Sequence, residues 1–274
     1  MRPRQWSKNA FVLAGMIFAG ESLDAGSQAA AWTMVAAFCL ASGACYLVND
    51  AVDAEGDRLN PRTAARPVAR GDLSRRAALT AAPVVALVAL GLAALVNLES
   101  LATLAGFIAL QLAYTGLLKH LLFLDVMAIA AGFVLRALAG AVATEVDFSE
   151  WLLVSTALLA LFLALAKRRA ELAAGDSRRV LDGYSVALVD ELVAVVTPAI
   201  VVVYALYAVL GAQTDAMLLT VPFVLYGIFR ALFLIHHRGG LTADPAVAVW
   251  EDRPLLACIV LWALSSAVIM VVEL

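Results

Sequence analysis

Apolar runs of about 16–25 residues recur along the whole chain and are separated by short polar connections. They predict nine membrane-spanning helices, at about 6–21, 29–48, 77–97, 100–118, 121–143, 151–167, 186–211, 215–235 and 254–273. Strand-like alternation of period two is absent, which argues against a transmembrane barrel. The pattern predicts an all-α, polytopic membrane helix bundle, with residues 1–274 forming a single integral-membrane domain.

The connections sort by charge. One set comprises the N-terminus (Arg2, Arg4, Lys8), residues 49–76, Lys119-His120, residues 167–185 and residues 236–253. The other set holds Glu21, Asp24, Asn97 to Glu99, Glu145, Asp147, Glu150, Asp215 and Glu273. Almost all lysines and arginines fall in the first set and none in the second. Positively charged loops stay on the cytoplasmic side, so the N-terminus is expected to be cytoplasmic, in the inner (plasma) membrane. The longest connections then face the cytoplasm, where any elaborate site is expected.

Composition agrees with this picture: 64% of residues are hydrophobic, 15% are charged, and mean hydropathy is +0.92. A soluble domain is nearer half apolar and a quarter charged. The net charge of −3 adds little. Membrane lipids are the expected surroundings, and no nucleic-acid partner is expected. Cys39, Cys45 and Cys258 lie in apolar runs without zinc-site spacing and read as small buried hydrophobes. The start of the chain imitates a signal peptide, but Pro3, Trp6, Lys8 and Asn9 favour a retained helix.

Candidate chemistry concentrates in Asn49 to Arg58, an acidic stretch directly after the second apolar run. Were that helix to continue, Asp50, Asp53 and Asp57 would share one face at i, i+3 and i+7, with Asn49 beside them. Grouped carboxylates suit a hard cation such as Mg²⁺, which binds through one or two carboxylates plus substrate phosphate oxygens. Arg58, Arg62, Arg66, Arg70, Arg75 and Arg76 follow and would suit the phosphates. The plain alternative is a solvated charged loop.

A second charged stretch, Lys167-Arg168-Arg169-Ala170-Glu171, leads towards Tyr184. Taken alone, it reads as positive-inside anchoring with a surface salt bridge. Within the fifth predicted helix, Asp125 and Arg136 are too far apart to pair, about 16 Å along the axis. A buried arginine at that depth marks a functional cavity, unless backbone carbonyls satisfy it. Gly132 and Gly140 flank it and allow close packing. Arg230, near the end of the eighth helix, is adequately explained by snorkelling.

The N-D-x-x-D-x-x-x-D pattern of Asn49 to Asp57, after the second helix, resembles the first aspartate-rich motif of UbiA-type membrane transferases. Several stretches resemble one branch, the polyprenyl-phosphate phosphoribosyltransferases. They are Arg2 to Asn9, Tyr46 to Asp50, Arg66 to Gly71, Gln111 to Tyr114, Leu118 to His120, Gly132 to Gly140, Lys167 to Leu172 and Asp252 to Leu255. The resemblance implies a UbiA-like fold. It also implies Mg²⁺-dependent transfer of the 5-phosphoribosyl group of phosphoribosyl pyrophosphate (PRPP) to a polyprenyl phosphate such as decaprenyl phosphate. Diphosphate is released, and the product would feed arabinose-containing cell-envelope polysaccharides. Asp50, Asp53 and Asp57 would be the catalytic metal ligands. Lys8, Asn49, Arg58, Arg66, Gln111, Tyr114, Lys119, Arg136, Lys167, Arg168, Glu171 and Tyr184 would contact substrate.

Prenyltransferase relatives carry a second aspartate-rich motif between helices six and seven. Here that place holds Lys167, Arg168, Arg169 and Glu171, which promotes them to candidate phosphate ligands. A UbiA-type prenyltransferase acting on an aromatic acceptor is the alternative, and a transporter a more distant one. The acids lie at a helix end and no repeat is evident, which argues against a carrier. The pattern of the CDP-alcohol phosphotransferases is absent. The oligomeric state is left open, a homo-oligomer included.

Overall fold

The computed structural model describes residues 3–13, 24–61, 63–146, 149–175, 179–212, 214–237 and 251–272. A 3-10 helix, Pro3–Leu13, precedes the long helix α1, Ala25–Val52. Two short helices, α2 (Ala54–Leu59) and α3 (Pro67–Arg70), lead into α4 (Arg75–Val96) and α5 (Leu98–Gly116). The remaining helices are α6 (Leu124–Thr144), α7 (Glu150–Ala173), α8 (Val186–Leu206), α9 (Val221–His237) and α10 (Arg253–Val272). No strand occurs among the described residues.

Eight helical segments are long and apolar enough to cross a membrane, and they match the second to ninth predicted spans. Of the first predicted helix, 6–21, the described part is the end of the 3-10 helix. Residues 14–21 lie outside the described residues, as do Arg62, Asp147, Asp176, Arg178 and Glu273.

The helices pair in chain order, α1 on α4 and then α5, α6, α7 and α8 in succession. One apolar core joins Met34 and Phe38 of α1 to Ala89 and Ala93 of α4, Phe107 of α5 and Ala139 of α6. A second joins Phe162 and Leu165 of α7 to Val189 and Val193 of α8 and Leu234 of α9. Helix α6 serves both, with Val126 in the second core and Ala139 in the first. It is therefore the shared wall between the two halves.

Small residues set the closest approach. A Cβ at Gly140 would stand 1.8 Å from the carbonyl oxygen of Val12, so the 3-10 helix rests directly on the α6 backbone. Backbone cannot yield as a side-chain end can. We expect Gly140→Ala to lose about 2 kcal/mol of stability or more, read as a lowered thermal midpoint in detergent. An unchanged midpoint would mean that the two segments are not packed this closely.

Ion pairs gather the charged helix ends onto one face. Lys119 reaches Asp53, Arg168 reaches Asp125, and Arg169 bonds Asp190 and the Ile235 carbonyl. The ends of α1, α5, α7 and α9 thus meet the starts of α6 and α8. This is the face to which the charge pattern assigned the longest connections.

Candidate active site

The acidic stretch does not form one continuous helix. Asp53 closes α1 with φ −88° and ψ 3°, and α2 starts at the next residue. Aspartate favours caps and turns over helix interiors, and a single residue opened to ψ near zero reorients everything beyond it. The expected shared face for three aspartates is therefore corrected. Asp50 and Asp57 are buried and share one Arg66 nitrogen, whereas Asp53 is half-buried and meets Lys119 instead.

Each carboxylate meets a cation. One nitrogen of Arg66, Nη1, lies 2.7 and 2.6 Å from the two oxygens of Asp57 and 3.7 Å from Asp50. Arg66 stands at the N-cap position of α3, extended at φ −65° and ψ 141°, so its side chain can reach back over α2. Lys119 Nζ stands 2.5 Å from Asp53, carried there by the turn between α5 and α6. Asn49 accepts a hydrogen bond from the Thr115 hydroxyl at 3.3 Å, which ties the motif to α5. Arg58 is exposed, and its Nε donates to the Ala69 carbonyl at 3.1 Å. It lines a polar cleft with Glu55, Ser74 and Arg75.

The basic segment departs most from its sequence reading. Arg168 is 1% exposed and Glu171 is 1% exposed, so their 3.0 Å ion pair is buried rather than superficial. The reason is register: Ala164, Leu165, Arg168 and Glu171 share the core-facing stripe of α7. Arg168 Nη1 is also 3.7 Å from Asp125, which is itself fully buried. Arg168 Nε and Nη2 have no hydrogen-bond partner among the described residues. Arg169 bonds Asp190 at 2.6 Å and serves to tie α7 to α8 and α9. Lys167 is half-buried at the same helix end.

Tyr184 closes over this cluster. Its hydroxyl donates to Asp125 at 2.8 Å and accepts the Phe123 backbone N–H at 3.1 Å. Burial, and then the bond to Asp125, push the phenol above its ordinary range, so it stays a donor at any physiological pH. Asp125 was visible in the sequence as an ionisable group in an apolar helix. Its connection to Tyr184 and Arg168 was not, because the partners lie 59 and 43 positions away.

Arg136 is buried about two turns of α1 deeper than the aspartates, if depth is counted from Ser42 to Asp50. It donates to Asn9 at 2.9 Å and to the Gly132 carbonyl at 2.8 Å, with a long contact to Ser42 at 3.5 Å. The Phe107 ring stacks 4.5 Å from its guanidinium carbon. Backbone, amide and ring thus satisfy it, and no carboxylate among the described residues pairs with it. Gln111 lies beside it, its Nε2 3.2 Å from where a Gly132 Cβ would stand. Tyr114 on α5 and Lys8, adjacent to Asn9, are half-buried. Arg230 does not simply snorkel: it makes a two-point pair with Asp252 at 3.0 and 2.8 Å.

Among the described residues, no three His, Cys, Asp or Glu side chains are grouped to hold a metal ion. Two converge, however: the Arg66 nitrogen already occupies the place between Asp50 and Asp57 that a small cation would take. A magnesium site built from two carboxylates and substrate oxygens fits this geometry, with Asp53 contributing only after Lys119 withdraws.

A helical membrane bundle with this acidic motif at the end of α1 defines a class of intramembrane transferases. Residues 9–251 match the UbiA prenyltransferase family, and the chain belongs to it. It is therefore a multi-pass membrane enzyme of transferase type. It is 33% identical to the decaprenyl-phosphate phosphoribosyltransferase of Mycolicibacterium smegmatis, over 96% of this chain and 88% of that one. With the enzyme of the same name from Corynebacterium glutamicum it shares 32% identity, covering 96% and 82%. The fold resembles that of a UbiA homologue from Archaeoglobus fulgidus bound to GPP and Mg²⁺, with a TM-score of 0.77. That similarity spans 99% of this chain and 98% of the other at 18% identity.

Proposed function

We propose that this transferase moves the 5-phosphoribosyl group of PRPP to a polyprenyl phosphate of the decaprenyl phosphate kind, releasing diphosphate. The reaction would take place on the cytoplasmic face of the inner membrane and supply precursors of cell-envelope polysaccharide. The observation that carries the reading is the uneven charge of the two helix ends. Asp50, Asp53 and Asp57 form one acidic motif, while the end of α7 carries Lys167, Arg168 and Arg169 instead of a second one. Arg168 and Arg169 are engaged by Asp125, Glu171 and Asp190, so the end of α7 offers Lys167 in place of a second metal site. That suits the bare phosphate of a phosphorylated sugar better than a prenyl diphosphate. The two relatives named for this activity, similar over nearly their whole length, support the same choice.

In the reaction, an oxygen of the lipid phosphate bonds to the anomeric carbon of the ribose as the carbon–oxygen bond to diphosphate breaks. The nucleophile is already anionic at neutral pH, so no general base is needed. A divalent ion held by Asp50 and Asp57 would supply charge neutralisation to the leaving diphosphate. Arg66 and Lys119, released from the aspartates, become donors to its oxygens. Lys8 and Lys167 would serve as further cations for the ribose 5-phosphate and the lipid phosphate, with Tyr114 and Asn49 as polar groups. Arg136 pairs with no carboxylate among the described residues and would act through its field more than by contact, positive potential from below the site favouring polyanionic ligands.

The purified protein in lipid nanodiscs, given PRPP, Mg²⁺ and a short polyprenyl phosphate, is expected to form polyprenyl phosphoribose and an equal amount of diphosphate. The family and the GPP-bound fold relative favour one competing reading, prenyl transfer to an aromatic acceptor. Consumption of a prenyl diphosphate with such an acceptor, and none of PRPP, would overturn the proposal.

A further inference from the structure

Phe123 has φ 68° and ψ −36°, a combination that a residue with a bulky side chain adopts only under constraint. It sits between Lys119, which clamps Asp53, and Asp125, which abuts Arg168. What holds it is visible. The Tyr184 hydroxyl accepts its N–H, and the Tyr184 ring packs edge-on against its ring at 5.8 Å between centroids. Gly183, next in chain, lies against Leu122, where an added Cβ would come within 3.0 Å of a Leu122 methyl. The same hydroxyl donates to Asp125, so one oxygen joins the turn to the buried cluster.

Three features thus share one constraint. Lys119 lies in the short 3-10 helix just before the strained turn, Asp125 is in the first turn of the helix that follows it, and Arg168 meets Asp125 from α7. Among the described residues Arg168 Nε and Nη2 have no hydrogen-bond partner, so Nη1 alone engages Asp125 and Glu171. Asp125 is fully buried, meets Arg168 and the Tyr184 hydroxyl, and takes no part in the proposed chemistry. A carboxylate at that burial is costly unless paired and hydrogen-bonded, and here Arg168 and the Tyr184 hydroxyl supply both.

We infer that Asp125 and Tyr184 are positioning residues, a latch that holds the 121–124 turn in its strained form and thereby sets Lys119 over Asp53. The consequence for function rests on the proposed phosphoribosyl transfer: the latch couples the basic end of α7 to the acidic motif. Without the hydroxyl, the Phe123 backbone relaxes to an ordinary conformation and carries Lys119 away from the aspartate. An error of about 1 Å in a group that orients a substrate can cost as much as a hundredfold in rate.

The test needs no substrate. The lysines of this sequence are Lys8, Lys119 and Lys167, so reductive ¹³C-methylation of the full chain gives a resolvable set of side-chain signals. Tyr184→Phe keeps the ring and removes the hydroxyl, and Asp125→Asn keeps the shape and removes the charge. Either is expected to move the Lys119 signal towards that of a free lysine while the Lys8 signal stays in place. Tyr184→Phe is also expected to raise KM for PRPP roughly tenfold with little change in kcat, the split expected of a group that positions a binding residue. An unmoved Lys119 signal in both variants, or equal movement of all the lysine signals, would overturn the latch. Absence of PRPP turnover in the unaltered protein would overturn the functional reading and leave the lysine measurement intact.

Discussion

Asp57→Asn is expected to lower turnover roughly a thousandfold, about 4 kcal/mol in the barrier, while the protein stays folded. The substitution removes a charge and keeps the volume, and an amide oxygen still accepts from Arg66. Stability is therefore largely preserved, whereas the pair of buried carboxylates that converges on one cation is broken. Asp50→Asn should behave alike, because Asp50 supplies the other side of that pair. Asp53→Asn is expected to lose less, since Asp53 stands apart with Lys119. A steady-state diphosphate-release assay compares the variants, with circular dichroism checking the fold. Near-normal release by both Asp50→Asn and Asp57→Asn would remove the metal assignment.

Replacing Arg66 should produce two effects of opposite sign. In the resting protein its guanidinium neutralises Asp50 and Asp57 from within. Arg66→Met removes the cation shared by two neighbouring, mostly buried carboxylates, a change that favours a divalent cation from outside. Binding of Mn²⁺ to the substrate-free protein, followed by electron paramagnetic resonance, is expected to tighten about tenfold, or about 1.4 kcal/mol. Yet KM for PRPP should rise by tenfold or more, because a phosphate donor has been lost. A merely structural arginine would weaken both. Weaker or unchanged Mn²⁺ binding would show that Arg66 does not stand in the cation's place.

Much of this arrangement was legible from residues alone. The spans from Ala25 to Val272 follow from apolar length, and the acidic motif from its position at a helix end. The basic end of α7 was legible as a departure from the expected second acidic motif. The misreadings have a common physical origin. Spacing of i, i+3 and i+7 assumes an unbroken helix, and nothing local announces that Asp53 opens by some forty degrees in ψ. Arg168 looked superficial because charged residues usually are, but its register with Ala164 and Leu165 already placed it on the buried stripe. Arg136 was expected in a cavity, and its bonds to Asn9 and Gly132 depend on how the 3-10 helix docks, a contact spanning 127 positions. The pairing of Lys119 with Asp53 and of Tyr184 with Asp125 is likewise long-range, and no pattern of period 3.6 encodes it.

The length of α1 has a consequence for how a lipid could reach the site. Its 28 residues extend about 42 Å, against a hydrocarbon thickness of about 30 Å. With the apolar run up to Val48 immersed, Asn49 and Asp50 emerge at the depth of the phospholipid headgroups. A polyprenyl phosphate carries its own phosphate at that depth. Under the proposed function such an acceptor would never need lifting from its leaflet: it would arrive by lateral diffusion, tail in the bilayer, while the water-soluble donor would come from the aqueous side. The traffic of the two substrates is then separated by phase, and the protein has only to meet them at the boundary.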